Sequence, residues 1–366
     1  MTKVAILGAG QIGRAVYQII TSFRTAGYST PYSDVDVIII DGNTDNLALV
    51  DSDILHKNDL ADLSVETIAH IFTSEGVTHV INALPFFLNE KVATAVAMAG
   101  CNYIDFTEDD VMADKVQAIF KDTNLTCAVK CGLAPGFINY IGYSLVSKVK
   151  SPDSLMISVG ALPRTVSFQH PANSYNLSWS VDGLVNEYIR PCRVRKDGVE
   201  AEVAPLTNLE TVILDGTTYE AAYTSGGVGS LVRDLTNVPN VHYMTLRYPG
   251  HYKYVQDVVK STGGDFDKMR KQFLEVFPFT DDDVIVVYAN ATGKDTNGAF
   301  IRRSYYNKFY GVNGLTGIQS TTAGSGVAML ELMLTQQVSG IVNHPDVDFS
   351  AFTNTLAFKK YYRDSK

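Results

Sequence analysis

The sequence is poor in several features that would mark a particular class of protein, and each shortage excludes something. Cysteine occurs only four times in 366 residues, which is too few for a disulfide framework. No apolar run approaches the roughly 18 residues that a membrane-spanning helix requires. Basic residues number 30 against 39 acidic ones, and the net charge of -9 argues against nucleic acid or a membrane surface as partner. We therefore expect a small-molecule partner.

The chain is nevertheless rich in residues that build cores, since 46% of it is hydrophobic and only 19% is charged. Its length favours two domains over one. The opening MTKVAILG has neither the basic region nor the apolar core of a secretory signal, so we expect a cytoplasmic protein with reduced thiols. Cys127 and Cys131 do not have the spacing of a metal-binding CxxC pair, and the sequence predicts no metal site.

The first third of the chain alternates short apolar runs with helical patterns, which indicates a parallel sheet covered on both faces. The predicted strands are residues 4–8, 35–41, 77–84, 103–106 and 126–131, with a shorter strand near 52–56. After about residue 150 the runs become longer and β-like, with turn signals at Asp197-Gly198 and Asn297-Gly298. From about Gly314 the pattern is helical again. The sequence thus predicts a doubly wound α/β domain and a second, β-rich domain.

The stretch GAGQIG follows the first predicted strand and opens a helix. Gly8 permits a tight turn, Gly10 lets the backbone approach a pyrophosphate, and Gly13 allows the helix to pack closely on the strand. Gln11 and Ile12 begin the helix, whose first N–H groups and positive dipole end suit a phosphate. The pattern alone is weak, but its position after a strand and before a helix predicts a dinucleotide-binding turn.

Asp41 ends the second predicted strand, where dinucleotide-binding domains place an acid that binds a ribose hydroxyl. It lies 28 residues after Gly13, beyond the usual gap of about 20, because a loop-like segment at 24–34 precedes the strand. An acid here repels a 2′-phosphate, and the next basic residue is Lys57. The sequence therefore favours NAD over NADP. The alternative is that Asp41 only caps the following turn.

The stretch INALPFF leaves the fourth predicted strand at its carboxyl end, where doubly wound sheets bind their ligands. We expect Asn82, Ala83, Leu84 and Pro85 to line the cofactor and Phe86 to contact the substrate. The alternative is that Pro85 merely ends the strand.

Six motifs occur in order along nearly the whole chain: GAGQIG, INALPFF, YIDFTED, CGLAPGFIN, WSVDGLVNEY and TLRYPGH. Together they resemble the saccharopine dehydrogenase-related superfamily, and within it the lysine 6-dehydrogenases. The resemblance implies a Rossmann domain formed by residues 1–135 and 314–366, with an inserted mixed α/β domain at 136–313. It also implies that the inserted domain binds substrate and pairs two subunits into a homodimer.

The resemblance further implies reversible hydride transfer between a nicotinamide and the carbon of a C–N bond. In saccharopine reductases, the position similar to Asp182 carries an arginine that holds a substrate carboxylate. An acid there would attract an ammonium group instead. The alternative is that Asp182 is only a turn residue before Gly183.

Asp105 resembles an aspartate near the substrate that orients the reacting nitrogen, and we expect Thr107, not Asp105, to cap the next helix. The resemblance also favours a role in which Arg247 pairs with a substrate α-carboxylate and His251 lines the cleft or exchanges protons. The alternative is that both residues are only packed or solvated beside a turn.

One residue departs from the resemblance, because Lys130 stands where lysine dehydrogenases carry an acid. We expect a NAD-dependent enzyme that oxidises a lysine-like primary amine to a semialdehyde. Two alternatives remain open. The first is reductive condensation of an amine with an aldehyde, of the saccharopine or carboxynorspermidine type. The second is a dinucleotide-sensing protein without catalytic activity.

Overall fold

The structure of the chain is a computed structural model, and it describes residues 2–25, 29–50, 55–165 and 174–362. The chain divides into two compact units. The first unit comprises Met1–Phe137 and Gln319–Tyr362, and the second unit comprises Ile138–Ile318. Within the described ranges, no helix is long and apolar enough to cross a bilayer.

The strands, numbered along the chain, are β1 (Thr2–Leu7), β2 (Val35–Asp41), β3 (Leu55–Lys57), β4 (His79–Asn82), β5 (Asn102–Asp105), β6 (Cys127–Ala128), β7 (Ser151–Pro163), β8 (Cys192–Lys196), β9 (Val199–Val203), β10 (Glu210–Leu214), β11 (Thr217–Tyr223), β12 (Asn240–Arg247), β13 (Asp283–Lys294), β14 (Phe300–Tyr310) and β15 (Ile341–Val342).

The α-helices are α1 (Gln11–Arg24), α2 (Thr44–Leu47), α3 (Val65–Glu75), α4 (Asn89–Met98), α5 (Asp110–Phe120), α6 (Phe137–Val146), α7 (Val181–Ile189), α8 (Leu231–Asp234), α9 (His251–Thr262), α10 (Phe266–Val276), α11 (Gly317–Leu334), α12 (Phe349–Asn354) and α13 (Leu356–Tyr361), with short 3-10 helices at Phe86–Leu88 and His344–Asp346.

The first unit is built on a parallel sheet of order β15-β6-β5-β4-β1-β2-β3. The chain adds β2 and β3 on one side of β1 and then β4, β5 and β6 on the other side. This is the doubly wound arrangement, so the predicted fold class is confirmed. Central strands are buried on both faces, as in β1, where Val4, Ala5, Ile6 and Leu7 are fully buried. The sheet therefore needs helices on both sides, and α1 covers it with its apolar stripe.

Strand limits differ from the prediction where the backbone turns early. Gly8 lies outside β1 because its φ of +89° starts the following turn. The predicted strand at 126–131 is paired only over β6, since Lys130 has a φ of +60°. Of the short strand predicted at 52–56, residues 52–54 lie outside the described ranges, and β3 occupies 55–57.

The second unit contains a mixed sheet of order β10-β11-β12-β7-β13-β14, in which β12 pairs with β7 in parallel and the other neighbours are antiparallel. Strands β8 and β9 form a hairpin beside β12. The turn predicted at Asp197-Gly198 joins them, and both residues have positive φ, as a two-residue hairpin turn of type I′ requires. Helices α7, α9 and α10 share one core with residues that include Leu184, Tyr252 and Phe273. The predicted second mixed domain is thus confirmed.

Candidate active site

The turn between β1 and α1 has a different physical need for each of its three glycines. Gly8 has a left-handed φ of +89°, which side chains disfavour. A Cβ atom on Gly13 would lie 1.8 Å from the Gly8 carbonyl oxygen, so only glycine lets α1 pack here. At Gly10, a Cβ atom would meet nothing within 4 Å beyond its chain neighbours in the described structure. The turn therefore leaves space where phosphates can approach the backbone.

The start of α1 supplies the donors for such a ligand. Gly10 is the N-cap, without a side-chain cap, and the first turn holds no acidic residue. The N–H groups of Gln11, Ile12 and Gly13 come too early in the helix to have intrahelical partners. They form the end of a helix dipole that attracts anions. These residues fit the pyrophosphate of a dinucleotide.

Asp41 ends β2 beside the same turn. Its Oδ2 accepts a hydrogen bond from the Ala9 N–H at 2.6 Å, and its Oδ1 accepts one from the Asn43 N–H at 2.6 Å. Asn46 Nδ2 also donates to Oδ2 at 3.2 Å. The carboxylate is thus fixed next to the turn, as ribose recognition requires. In the sheet Asp41 is in register with Lys57 of β3, whose side chain is exposed.

The segment that follows β4 crosses over the glycine turn. A Cβ atom on Gly8 would lie 3.0 Å from the Ala83 carbonyl oxygen and 3.3 Å from Leu84 Cδ2. Pro85 is the N-cap of the 3-10 helix that comes next. The structure therefore brings Ala83 and Leu84 together with the glycine turn at the carboxyl edge of the sheet.

Two exposed phenylalanines follow at this edge. Phe86 is 43% exposed and Phe87 is 64% exposed, and their rings contact edge to face with centroids 6.2 Å apart. Ligands of doubly wound sheets bind at this edge. Phe86 therefore stays a candidate for substrate contact.

Asp105 ends β5 and is held entirely by groups of the chain. Asn89 Nδ2 and Tyr103 OH donate to its Oδ2 at 3.0 and 3.1 Å. The backbone N–H groups of Thr107 and Lys130 donate to its Oδ1 at 3.1 and 3.0 Å. Burial raises the pKa of Asp105 to about 6, although these hydrogen bonds lower it. A carboxylate has about four lone-pair positions, so none is left for a substrate nitrogen, and we assign Asp105 to holding this sheet edge.

Two neighbours of this network differ from the sequence prediction. The side chain of Asn82, expected at the cofactor, is buried and donates to Asn89 and Tyr103. It therefore orders the sheet, and only its backbone remains at the strand end. The cap of α5 is Asp109, whose side chain accepts from a backbone N–H in the first turn. Thr107 instead accepts from the Asp109 N–H at 3.3 Å, and it lies two residues before the N-cap position.

Lys130 is buried in a left-handed backbone conformation that is uncommon outside glycine. Its N–H donates to Asp105, and its carbonyl oxygen lies 3.2 Å from His344 Nε2. Its Nζ forms an ion pair with Asp110. The charge of Lys130 is thus balanced by Asp110 within the first unit. The family resemblance had led us to expect an acid at this position.

The second unit holds a polar cluster where β12 ends and α9 begins. Arg247 is buried, and its Nη2 donates to Glu187 Oε2 at 2.9 Å. Its Nε donates to Tyr188 OH at 2.9 Å, and its Nη1 donates to the Leu246 carbonyl at 3.1 Å. The guanidinium carbon lies 4.9 Å from the Tyr175 ring centroid. Arg247 is therefore already paired with a carboxylate, with two of its five N–H groups left for other acceptors.

His251 lies beside this cluster. Its Nε2 and the Tyr188 hydroxyl share a hydrogen bond of 2.9 Å, and the same hydroxyl accepts from Arg247 Nε. Its Nδ1 has no hydrogen-bond partner among the described residues. Burial lowers the pKa of His251 well below its usual value, and Arg247 lowers it further. The histidine predicted to exchange protons is thus buried and bonded to Tyr188 through Nε2.

Asp182 lies in the first turn of α7 with its side chain 54% exposed, and its Oδ1 accepts from Arg270 Nε at 2.6 Å. Arg270 therefore supplies the positive charge that the sequence reasoning assigned to a substrate. The other carboxylate of this helix is the partly buried Glu187, which the sequence analysis did not single out. Leu184 and Tyr188 face the core, and a residue three positions after Leu184 lies on the same side of a helix. That spacing is the signal that could have found Glu187.

The first unit has the sheet order, glycine turn and strand-end acid of the dinucleotide-binding oxidoreductases. Comparison with known families agrees. Residues 4–127 match the family model described as the saccharopine dehydrogenase NADP binding domain. Residues 132–356 match the saccharopine dehydrogenase C-terminal domain. The chain therefore belongs to the saccharopine dehydrogenase family.

Solved structures show the same fold. Saccharopine dehydrogenase (L-Glu forming) from Saccharomyces cerevisiae is 15% identical, with a TM-score of 0.78 over 98% of this chain and 98% of that chain. Homospermidine synthase from Legionella pneumophila, solved in complex with NAD, is 14% identical, with a TM-score of 0.68 over 99% of this chain and 90% of that chain. At these identities the likeness concerns the fold alone.

Proposed function

We propose that the protein is a NAD-dependent oxidoreductase that removes the amino group of a lysine-like primary amine and forms a semialdehyde. The observation that carries this proposal is the dinucleotide turn, open at Gly10, in a chain of the saccharopine dehydrogenase family. Two structures of the same fold are named for saccharopine and homospermidine, and both compounds are amines. An amine substrate is therefore the simplest assumption.

Asp41 supports NAD as the preferred cofactor. Its two oxygens are anchored by Ala9 and Asn43, so the negative charge cannot move away from a 2′-phosphate. The family model is described as NADP binding, and Lys57 offers a cation in the neighbouring strand. The carboxylate of Asp41 favours NAD more strongly than Lys57 favours NADP, because Asp41 contacts the turn itself and Lys57 is exposed.

When bound, NAD would supply the two-electron oxidation that converts the deprotonated amine to an imine, which water would hydrolyse to an aldehyde and ammonia. On the protein side, Gly8 and Gly10 accommodate the dinucleotide, and Asp41 orients its ribose. Arg247 holds the carboxylate of Glu187 in place within the second unit.

The experiment is a test of NADH formation, followed by absorbance, with L-lysine, L-ornithine and 1,5-diaminopentane at alkaline pH. We expect turnover with at least one of these amines, and a dissociation constant for NAD at least tenfold lower than that for NADP. A tenfold ratio corresponds to about 1.4 kcal/mol. Equal or reversed affinities would remove the argument from Asp41.

The two alternatives give different results. Oxidation of NADH only when an amine and an aldehyde are supplied together indicates reductive condensation. Tight binding of NAD without turnover in either direction indicates a dinucleotide-sensing protein.

A further inference from the structure

A carboxylate with one unused oxygen lies in the polar cluster of the second unit. Glu187 Oε2 accepts from Arg247 Nη2 at 2.9 Å. Its other oxygen, Oε1, accepts no hydrogen bond from any described residue, and the side chain keeps 13% of its surface exposed, against 1% for Arg247. The carboxylate is therefore fixed at one oxygen and open at the other.

The backbone around Glu187 is also fixed. The Ser225 N–H donates to the Glu187 carbonyl at 3.1 Å, and Ser225 Oγ donates to the Asn186 carbonyl at 3.0 Å. The neighbouring hydroxyl of Thr224 is bonded to that of Thr245 in β12 at 2.5 Å. The last turn of α7 is thus tied to the sheet, so the position of Oε1 is set before any ligand arrives.

A second carboxylate, that of Glu220, accompanies Arg247 among the described residues of this cluster. Glu220 lies opposite Arg247 in the β11–β12 pairing, and its Oε1 accepts from the Gly250 N–H at 3.0 Å. Its Oε2 is buried without a hydrogen-bond partner among the described residues. His251 is neutral because burial lowers its pKa. Two carboxylates thus accompany one guanidinium, and a second cation would balance them.

Aromatic rings in the cluster also favour a cation. The Tyr175 ring lies against the guanidinium of Arg247, and Tyr175 OH accepts from Trp179 Nε1 at 2.9 Å. The Trp179 ring packs on Gly183, where a Cβ atom would lie 2.5 Å from it, and it remains partly exposed. The faces of such rings attract positive charge and disfavour anions.

We infer that Glu187 binds the ammonium group of the substrate through Oε1, while Arg247 holds Oε2 and sets the orientation of the carboxylate. This inference rests on the proposed function, because it assumes an amine substrate. Burial raises the pKa of Glu187 to about 7, with Arg247 opposing this rise, so the carboxylate is ionised at the alkaline pH of the assay.

The alternative is that the Glu187–Arg247 pair only stabilises the fold. Its loss would lower the free energy of unfolding without selectively weakening amine binding. A binding carboxylate predicts a selective rise in the KM of the amine. Glutamine has nearly the same shape and can still accept from Arg247, so the Glu187→Gln variant separates the two roles.

The test compares Glu187→Gln with the wild type and with Glu275→Gln, a matched surface variant whose carboxylate pairs with Lys271 along α10. For each protein we would measure KM and kcat for the best amine, the dissociation constant for NAD, and the unfolding temperature. Glu187→Gln should raise KM about 10- to 100-fold, the range for a hydrogen bond to a charged group. NAD affinity should change less than twofold, and Glu275→Gln should match the wild type.

The other outcomes separate failure of this inference from failure of the proposed function. A wild type that oxidises amines beside a Glu187→Gln variant of unchanged KM overturns the inference and leaves the proposed function intact. A wild type that oxidises no amine overturns both. If Glu187→Gln does not fold, Glu187→Asp decides, because it keeps the charge and shortens the reach. A KM raised more than fivefold at unchanged NAD affinity supports the inference, and an unchanged KM overturns it.

Discussion

Two carboxylates with raised pKa values, Asp105 and Glu187, differ in how many of their acceptor positions the chain uses. Asp105 accepts four hydrogen bonds, and Glu187 accepts one at its side chain. Burial shifts both in the same direction. A perturbed pKa alone therefore does not separate a structural acid from a binding one. The number of acceptor positions that the chain leaves unused is the second observation on which the proposal for Glu187 rests.

Asp105 should prove structural when it is replaced. In Asp105→Asn, the amide group takes the place of one oxygen, so two of the four donors lose their acceptor. We expect the free energy of unfolding to fall by about 1–3 kcal/mol, the cost of leaving buried donors unpaired. Urea titration measures this change. Asp109→Asn is the control, because asparagine caps a helix about as well as aspartate.

An unchanged free energy of unfolding together with a tenfold rise in the KM of the amine would return Asp105 to the substrate site.

In helix α7 the sequence indicated Asp182 as a ligand of the substrate, and the structure pairs this carboxylate with Arg270. Glu187 lies on the same side of the helix as the buried residues Leu184 and Tyr188. Partners from distant parts of the chain, such as Arg270, cannot be read from local spacing, whereas the buried side of a helix can.

At the scale of elements, the positions of the three glycines in the turn were predictable because each follows from local geometry. The contacts of the turn with Asp41 and with the crossing segment at Ala83 come from distant parts of the chain. The paired length of β6 was not predictable, since it depends on the left-handed conformation of Lys130. That conformation depends in turn on contacts with Asp105, Asp110 and His344.

Replacing either Gly10 or Gly13 of the turn with valine should have two different effects. Gly10→Val should abolish dinucleotide binding and leave the unfolding temperature nearly unchanged, because its side chain would enter open space. Gly13→Val should lower the unfolding temperature strongly, because its Cβ atom would lie 1.8 Å from the Gly8 carbonyl oxygen. Calorimetric titration with NAD and thermal unfolding measure the two effects. Wild-type NAD affinity in Gly10→Val would reduce GAGQIG to an ordinary turn.

At the scale of the whole molecule, the first unit is made from both ends of the described chain. Phe137 stacks with Phe352 and contacts Phe358 and Tyr362 in one aromatic cluster. Strand β15 pairs with β6, and Ile341 packs on the core of the unit. The sequence alone did not reveal β15, because two residues are too short for any periodic pattern. The return of the chain was expected only from the family resemblance.

Removing residues 336–366 should therefore weaken dinucleotide binding, although the turn lies more than 300 positions away. The truncation removes β15, α12 and α13, and with them the Leu356 N–H that donates to Glu331. Glu331 also accepts from the buried Tyr32 hydroxyl at 2.9 Å. We expect the first unit to become sensitive to protease and its NAD affinity to fall at least tenfold. Full affinity with unchanged protease resistance would contradict this expectation.

This arrangement has a consequence for how the protein is made on the ribosome. Residues 138–318 emerge before the segment that completes the first unit. At about 5–20 residues per second, the nascent first unit waits roughly 10–40 seconds with one sheet edge uncovered. The described residues of the second unit, Ile138–Ile318, are continuous in sequence and have no such delay. Translation speed through the insertion therefore sets how long a chaperone would have to guard the exposed edge of β6.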